Sequence, residues 1–218
     1  MDITVVVSIL SAVCGGFLSS LVTTRRQRKD KQEEREAARD EAYRDQLRHS
    51  YAEFISAYSR CLDAGAVLLS IARAMHDLSR AALEEALQHG ADEGEADLAF
   101  AEAISPALQE RAHRAREDFW EVSGDSSTKA VAVLLIDDNE VRREQVLRLD
   151  KAELVPPQSA DDHDRFHADL LKLRTALHEL AAALGGAFSP DRWHREVVER
   201  RAMATKSMPM LGTGSAPK

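Results

Sequence analysis

Ile3-Thr-Val-Val-Val-Ser-Ile-Leu-Ser-Ala-Val-Cys-Gly-Gly-Phe-Leu-Ser-Ser-Leu-Val-Thr-Thr24 carries no charged side chain, and Arg25-Arg-Gln-Arg-Lys29 follows at once. As an α-helix, this uncharged stretch is roughly 33 Å long at 1.5 Å per residue. A bilayer core is about 30 Å thick. A cleaved leader would put its basic residues first; here Asp2 precedes the apolar run and the basic cluster follows it. The positive-inside bias therefore predicts a transmembrane anchor over residues 1–24, with Met1 outside and everything from residue 25 in the cytoplasm. The expected location is the cytoplasmic membrane. The competing reading is a buried core helix, and the abrupt basic boundary argues against it.

The span has a face of small residues. Ser8, Ala12, Gly16 and Ser20 recur every four positions, and Ser11, Gly15 and Ser19 run beside them. Such rows let two helix backbones approach closely in lipid, so these four residues are the candidate self-association face of a homo-oligomer. Arg25, Arg26, Arg28 and Lys29 are the candidate contacts to anionic headgroups, at roughly 1 kcal/mol per charge near the surface.

Outward from the span, residues 25–48 hold nine Lys/Arg and seven Asp/Glu, with opposite charges often three or four apart. That pattern supports a solvated helix and predicts a charged helical stalk. From Phe17 to Leu62 there is neither Gly nor Pro. Amphipathic spacing then begins near Tyr43 and runs through Leu47, Tyr51, Phe54, Ile55, Tyr58, Leu62, Val67, Leu68, Ile71, Met75, Leu78 and Leu83. Gly65 sits inside this helix at a cost near 1 kcal/mol. The helix should end around His89, because Gly90-Ala-Asp-Glu-Gly94 reads as a turn.

A second helix is expected from about Glu95 to Val122, with Leu98, Ile104, Leu108, Ala112, Ala115, Phe119 and Trp120 as its buried stripe. Pro106 should kink it or start a new segment capped by Ser105. Ser123-Gly-Asp-Ser-Ser127 reads as a break, and Ala130 to Ile136 as a short buried helix. Asp137-Asp-Asn-Glu140 resembles a capping box in which Asp137 takes backbone N–H groups. The helix after it carries Val141, Val146, Leu149 and Leu154 and stops at Pro156-Pro157. A further helix over 161–184 has Phe166, Leu170, Leu173, Leu177, Leu180 and Leu184 as core, and Gly185-Gly186 should end it. Ser189-Pro190-Asp191 starts a last helix to about Met203. Residues 205–218 are expected to be a disordered tail.

The predicted fold is therefore all-α: a transmembrane helix continuing into a charged stalk (25–48), then an antiparallel cytoplasmic bundle of about four main helices (49–204). Composition agrees. The chain of 218 residues is 44% hydrophobic but only 5% aromatic, with 10 Gly and 6 Pro, which disfavours an all-β sandwich. A net charge of -8 argues against nucleic acid as a partner. Two cysteines, one in the apolar run and one in a predicted helix, make a poor disulfide pair.

Catalytic signatures are missing: no phosphate-cradling glycine loop, nucleophile elbow or zinc-protease helix occurs. His163 and His167 are four apart on one helical face, with His178 three turns on, and such a pair can chelate zinc. No second ligand-bearing helix accompanies them, so they read as exposed histidines at an acidic helix start, and no metal or cofactor is expected. His113 with Glu110 and Glu117, and His76 with Asp77, are neighbours that a charged face produces by chance. The last helix, with Trp193 and His194 among Arg192, Arg195, Arg200 and Arg201, reads as docked on the bundle through Trp193, Val197 and Val198.

The Arg/Glu-rich segment from Arg25 to Arg48, Tyr51-Ala-Glu-Phe54 with Ala57 and Tyr58, and Val133-Leu-Leu-Ile-Asp-Asp-Asn-Glu-Val-Arg142 carry a resemblance. The chain resembles a broad class of small, uncharacterised bacterial proteins with an N-terminal span, a charged juxtamembrane helix and a helical domain. The resemblance implies that layout and no activity. The expected function is a non-enzymatic membrane-anchored module that binds another protein. A second expectation is a membrane-perturbing effector whose span oligomerises under control of the bundle.

Overall fold

The computed structural model describes the backbone of residues 3–152 and 154–207, and the side chains of residues 27–152, 154–189 and 191–199. Among the described residues all regular structure is helical: α1 (Ile3–Gln88), α2 (Glu93–Glu102), α3 (Pro106–Ile136), α4 (Glu140–Asp150), α5 (Ala160–Ala187) and α6 (Pro190–Ser207). The chain divides into two compact units, residues 1–46 and 47–218.

In the first unit the backbone is helical from Ile3 onward. The described side chains from Gln27 to Gln46 are almost all exposed, and they are stitched by local pairs such as Lys29–Glu33 at 3.6 Å. By length and composition one helix among the described residues is able to cross a membrane. Within its stretch Gln27–Gln88 the best window has mean hydropathy 1.3, and half of that window is buried inside the protein, as in a bundle core. The uncharged run over residues 3–24 is a separate matter, because its side chains lie outside the described residues.

The second unit is built on the stripe Leu47, Tyr51, Phe54, Tyr58, Cys61, Leu62, Leu68 and Leu69, all buried. The alternation of three and four keeps these side chains on one face. Gly65 falls on that stripe where α3 and α5 come closest: a Cβ there would lie 2.9 Å from Leu170 Cδ2 and 3.5 Å from the rings of Phe119 and Phe166. Phe119 and Phe166 meet edge to face at 6.3 Å. Val67 and Leu78, expected in the core, are about half exposed; the true stripe passes to either side of them.

Helix starts follow capping chemistry. Asp92 accepts the Glu95 N–H at 2.9 Å and Ser105 the Leu108 N–H at 3.3 Å, with Pro106 as the first residue of α3. Pro106 therefore starts a new helix rather than kinking an old one. Gly90, at φ 83°, takes the left-handed conformation that turns the chain after α1. At α5, the Asp162 carboxylate reaches back to the Ser159 N–H at 3.0 Å and takes the Ser159 hydroxyl at 2.8 Å. The Ser159 hydroxyl and the N–H groups of Gln158 and Ser159 hold the Asp162 carboxyl below its ordinary range.

Three expectations are corrected here. The predicted break at 123–127 is helix, and Ala130 to Ile136 is the last part of α3 rather than a separate element. The hydroxyls that suggest a loop are turned back onto the helix: Ser126 donates to the Ser123 carbonyl at 2.8 Å and Thr128 to the Gly124 carbonyl at 2.9 Å. Ala115, Phe119, Ser126, Ala130 and Val133 continue one buried face across the segment, and tertiary packing overrides the local signal. Leu98 and Trp120 are exposed, not buried. Finally, Gly185-Gly186 does not end α5, which runs to Ala187 with Phe188 as C-cap.

The α5 stripe is as expected: Phe166, Leu170, Leu173, Leu177, Leu180 and Leu184 are all buried. Each such side chain contributes about 1.5–3 kcal/mol relative to exposure. Along the chain, α3 packs on α4, α4 on α5 and α5 on α6. Trp193 and Val197 dock α6, while Val198 faces solvent. This helix extends to Ser207, past the expected end at Met203 and into the first residues of the predicted tail; residues 208–218 lie outside the described residues.

Candidate functional site

The most organised polar feature is a buried cluster of Tyr51, Asp137, Arg142 and Glu196. Asp137 follows the last turn of α3, where Asp137-Asp-Asn139 joins it to α4. The cap of α4 is Asn139, whose side chain accepts the Arg142 N–H at 3.1 Å, and this corrects the expectation that Asp137 caps it. Asp137 instead closes a local turn by accepting the Asn139 N–H at 2.9 Å.

The remaining lone pairs of Asp137 reach across the fold. The Tyr51 hydroxyl, from α1, donates to Oδ2 at 2.6 Å. Arg142 donates to both oxygens, Nε to Oδ2 at 2.7 Å and Nη2 to Oδ1 at 2.9 Å. Arg142 is also bound on its outer side, to both carboxylate oxygens of Glu196 in α6 at 2.9 and 3.0 Å. Phe188 lies under the guanidinium, 5.7 Å from ring centroid to carbon. Two bidentate carboxylates on one planar fork are geometry that Arg supplies and Lys does not.

The cluster is dry. The Asp137 side chain is fully buried and that of Arg142 is 8% exposed. Burial pushes the Asp137 carboxyl up. The hydrogen bonds from Arg142, Tyr51 and the Asn139 N–H, together with the Arg142 charge, outweigh that and hold it below the usual carboxylate range. Burial acts to lower Arg142, yet its bonds to Asp137 and Glu196 raise it further above an ordinary guanidinium. Both groups stay charged at neutral pH, and each Asp137 oxygen accepts two hydrogen bonds. The cluster locks helices together.

Beside it, a cleft of about 570 Å³ opens between α4, α5 and α6, lined by Arg142, Arg192, Arg195, Glu196 and Glu199 among others. Charges of both signs share its walls. Val141, expected in the core, lines this cleft and is 68% exposed.

The sequence-derived candidates fall as follows. Ser8, Ala12, Gly16 and Ser20 lie on α1, but their side chains, like those of Arg25 and Arg26, are outside the described residues. Arg28 and Lys29 are exposed, and Lys29 pairs with Glu33. His163 and His167 have different surroundings. His167 lines a small cavity against Leu62 and Arg73, whereas His163 is buried and lines a different one with His76 and His113. The expectation of two exposed histidines is therefore wrong for His163. Among the described residues no three His, Cys, Asp or Glu side chains are grouped as metal ligands. His178 contacts the Arg174 carbonyl at 2.7 Å, and His113 pairs with Glu117 at 3.3 Å. No protein-family model, curated protein or solved structure matches the chain.

Sequence reasoning missed the Tyr51–Asp137–Arg142–Glu196 cluster. Its partners are 86 and 54 residues apart in the chain. The one local signal was Asp137 and Arg142, five apart across a helix start, too far for a capping box.

Proposed function

We propose that this chain is a non-enzymatic, membrane-anchored helical module that binds another protein at a bacterial inner membrane. The observation that supports the reading best is the uncharged helical stretch over residues 3–24, which ends at the basic cluster beginning with Arg25. The basic cluster from Arg25 to Lys29 favours residues 25–218 on the cytoplasmic side and contact of Arg25, Arg26, Arg28 and Lys29 with headgroups. The Ser8, Ala12, Gly16 and Ser20 face would pair two copies within the bilayer. This reading is the one implied by the sequence resemblance to small bacterial anchored proteins.

The test is carbonate-washed membrane fractionation of the full chain beside a version lacking residues 1–24. The full chain should stay in the pellet and the shortened chain should leave it. A full chain that washes off overturns the anchor. Cross-linking in membranes should trap a dimer that Gly16→Leu abolishes; an undiminished dimer refutes the small-residue face. A saturable catalytic activity in the purified protein would refute the non-enzymatic reading.

A further inference from the structure

The cavity that takes His163 combines an apolar wall with three histidines and an arginine. It measures about 550 Å³ and lies between α1, α2, α3 and the start of α5. Ligand pockets run from about 300 to 1,000 Å³. Leu68, Met75, Phe100 and Pro157 make an apolar wall, and the polar lining comprises His76, His113, His163 and Arg116 with the neutral groups of Gln109, Gln158 and Ser159. In a protein of net charge -8, no carboxylate lines this space. Of the nearby acidic side chains, Asp164 pairs with Arg73 and Glu110 with Arg114, while Glu117 and Asp162 hold the lining residues His113 and Ser159.

Two polar groups in the cavity have no protein partner among the described residues. His163 is only 8% exposed. Its ring stands edge-on to that of His76, with centroids 6.0 Å apart, and neither imidazole makes a hydrogen bond to protein. An imidazole that bonds to no protein group and opens on a cavity can give its ring N–H to an incoming acceptor. Arg116, on the rim, has no carboxylate within ion-pair distance.

We propose that this cavity binds a small amphipathic anion: an organic carboxylate with a flat apolar body. The body lies against Leu68, Met75 and Phe100. The carboxylate takes hydrogen bonds from His163 and His76 and the charge of Arg116. This site is independent of the anchor and of the Tyr51–Asp137–Arg142–Glu196 cluster.

The test uses the full chain in lipid nanodiscs with 2-naphthoate as probe and 2-naphthylmethylammonium as its charge-reversed counterpart, empty nanodiscs correcting for partition into lipid. Saturable 1:1 binding of naphthoate alone is expected. The side-chain resonances of His163 and His76 should shift on binding while those of His178 stay still. Arg116 is exposed, so Arg116→Gln should leave the helical circular dichroism unchanged while weakening naphthoate by about tenfold, the size of one charge-assisted hydrogen bond. Ala112→Trp, which fills the cavity, should abolish binding, and Arg111→Gln, outside it, should not change it. Equal binding of both probes overturns the proposal, as does no saturable naphthoate binding at millimolar concentration or an Arg116→Gln variant that binds like the wild type.

Discussion

Removing the Asp137 carboxylate is the sharpest perturbation the fold offers. Asp137→Ala deletes the acceptor for the Tyr51 hydroxyl, both inner bonds of Arg142 and the Asn139 N–H. Arg142, 8% exposed at its side chain, keeps only Glu196. Breaking a buried ion pair by deleting one partner costs about 3–5 kcal/mol, because the other charge is left behind in a dry site. Domain stability is about 5–15 kcal/mol, so the loss is a large share of the total. The assay is urea denaturation of the full chain in nanodiscs, followed by far-ultraviolet circular dichroism. Asp137→Leu with Arg142→Met and Tyr51→Phe should recover most of the loss, since apolar replacement of a whole buried polar cluster is often close to neutral. The pH dependence has a definite sign. Asp137 is held below its unfolded value of about 3.9, so its contribution is full above that pH and fades as pH falls through the lower folded value. The gap between wild type and Asp137→Ala should thus be constant from pH 7 to 5 and narrow below pH 4. A variant within about 0.5 kcal/mol of wild type at pH 7 refutes the dry-cluster argument, because that is the scatter expected of a surface site.

Three further outcomes follow from packing. Gly124 lies inside α3 with open space around it, so Gly124→Ala should raise stability by about 0.5–1 kcal/mol through helix propensity; destabilisation would restore the loop reading of 123–127. Phe119→Ala should cost about 3–5 kcal/mol, whereas Trp120→Ala next to it, at 54% exposed, should stay within about 0.5 kcal/mol. Comparable losses in the two denaturation curves would mean that the face of α3 is wrongly assigned. Gly65→Leu should cost about 1–3 kcal/mol by overpacking against Leu170, while Gly65→Ala stays near neutral because gained propensity offsets the crowding. A stabilised Gly65→Leu would place α5 farther from α1.

The all-helical architecture was legible because its signals are periodic and local. The six α5 core positions were read correctly, since 28 residues with a single apolar stripe admit one register. Ser105-Pro106 and Ser189-Pro190 marked helix starts through chemistry confined to two residues. The failures are those of context. Ser123 to Ser127 carries loop composition, but a Ser at 126 fits a crowded helix face where a larger residue would not. Val67, Leu78, Leu98, Trp120 and Val141 are apolar without being buried, because sequence spacing fixes a stripe to about one residue in four. His163 looked like its neighbour His167, yet His163 is buried where α1, α2 and α3 meet the start of α5 and His167 is exposed. Asp137 could be read only as a cap while Tyr51 and Glu196 were invisible to it.

The Asp137 knot also bears on the order in which the chain assembles. Packing of α3 on α4, α4 on α5 and α5 on α6 joins neighbours along the chain, and contacts of this kind form early and fast. The knot joins Tyr51 to Asp137 across 86 residues and Arg142 to Glu196 across 54. Such loops must close before their bonds return any free energy, and other contacts of α1 share that cost, Tyr58 to Leu149 across 91 residues among them. Interactions absent from the transition state act on the way out rather than on the way in. Asp137→Ala is therefore expected to speed unfolding far more than it slows folding.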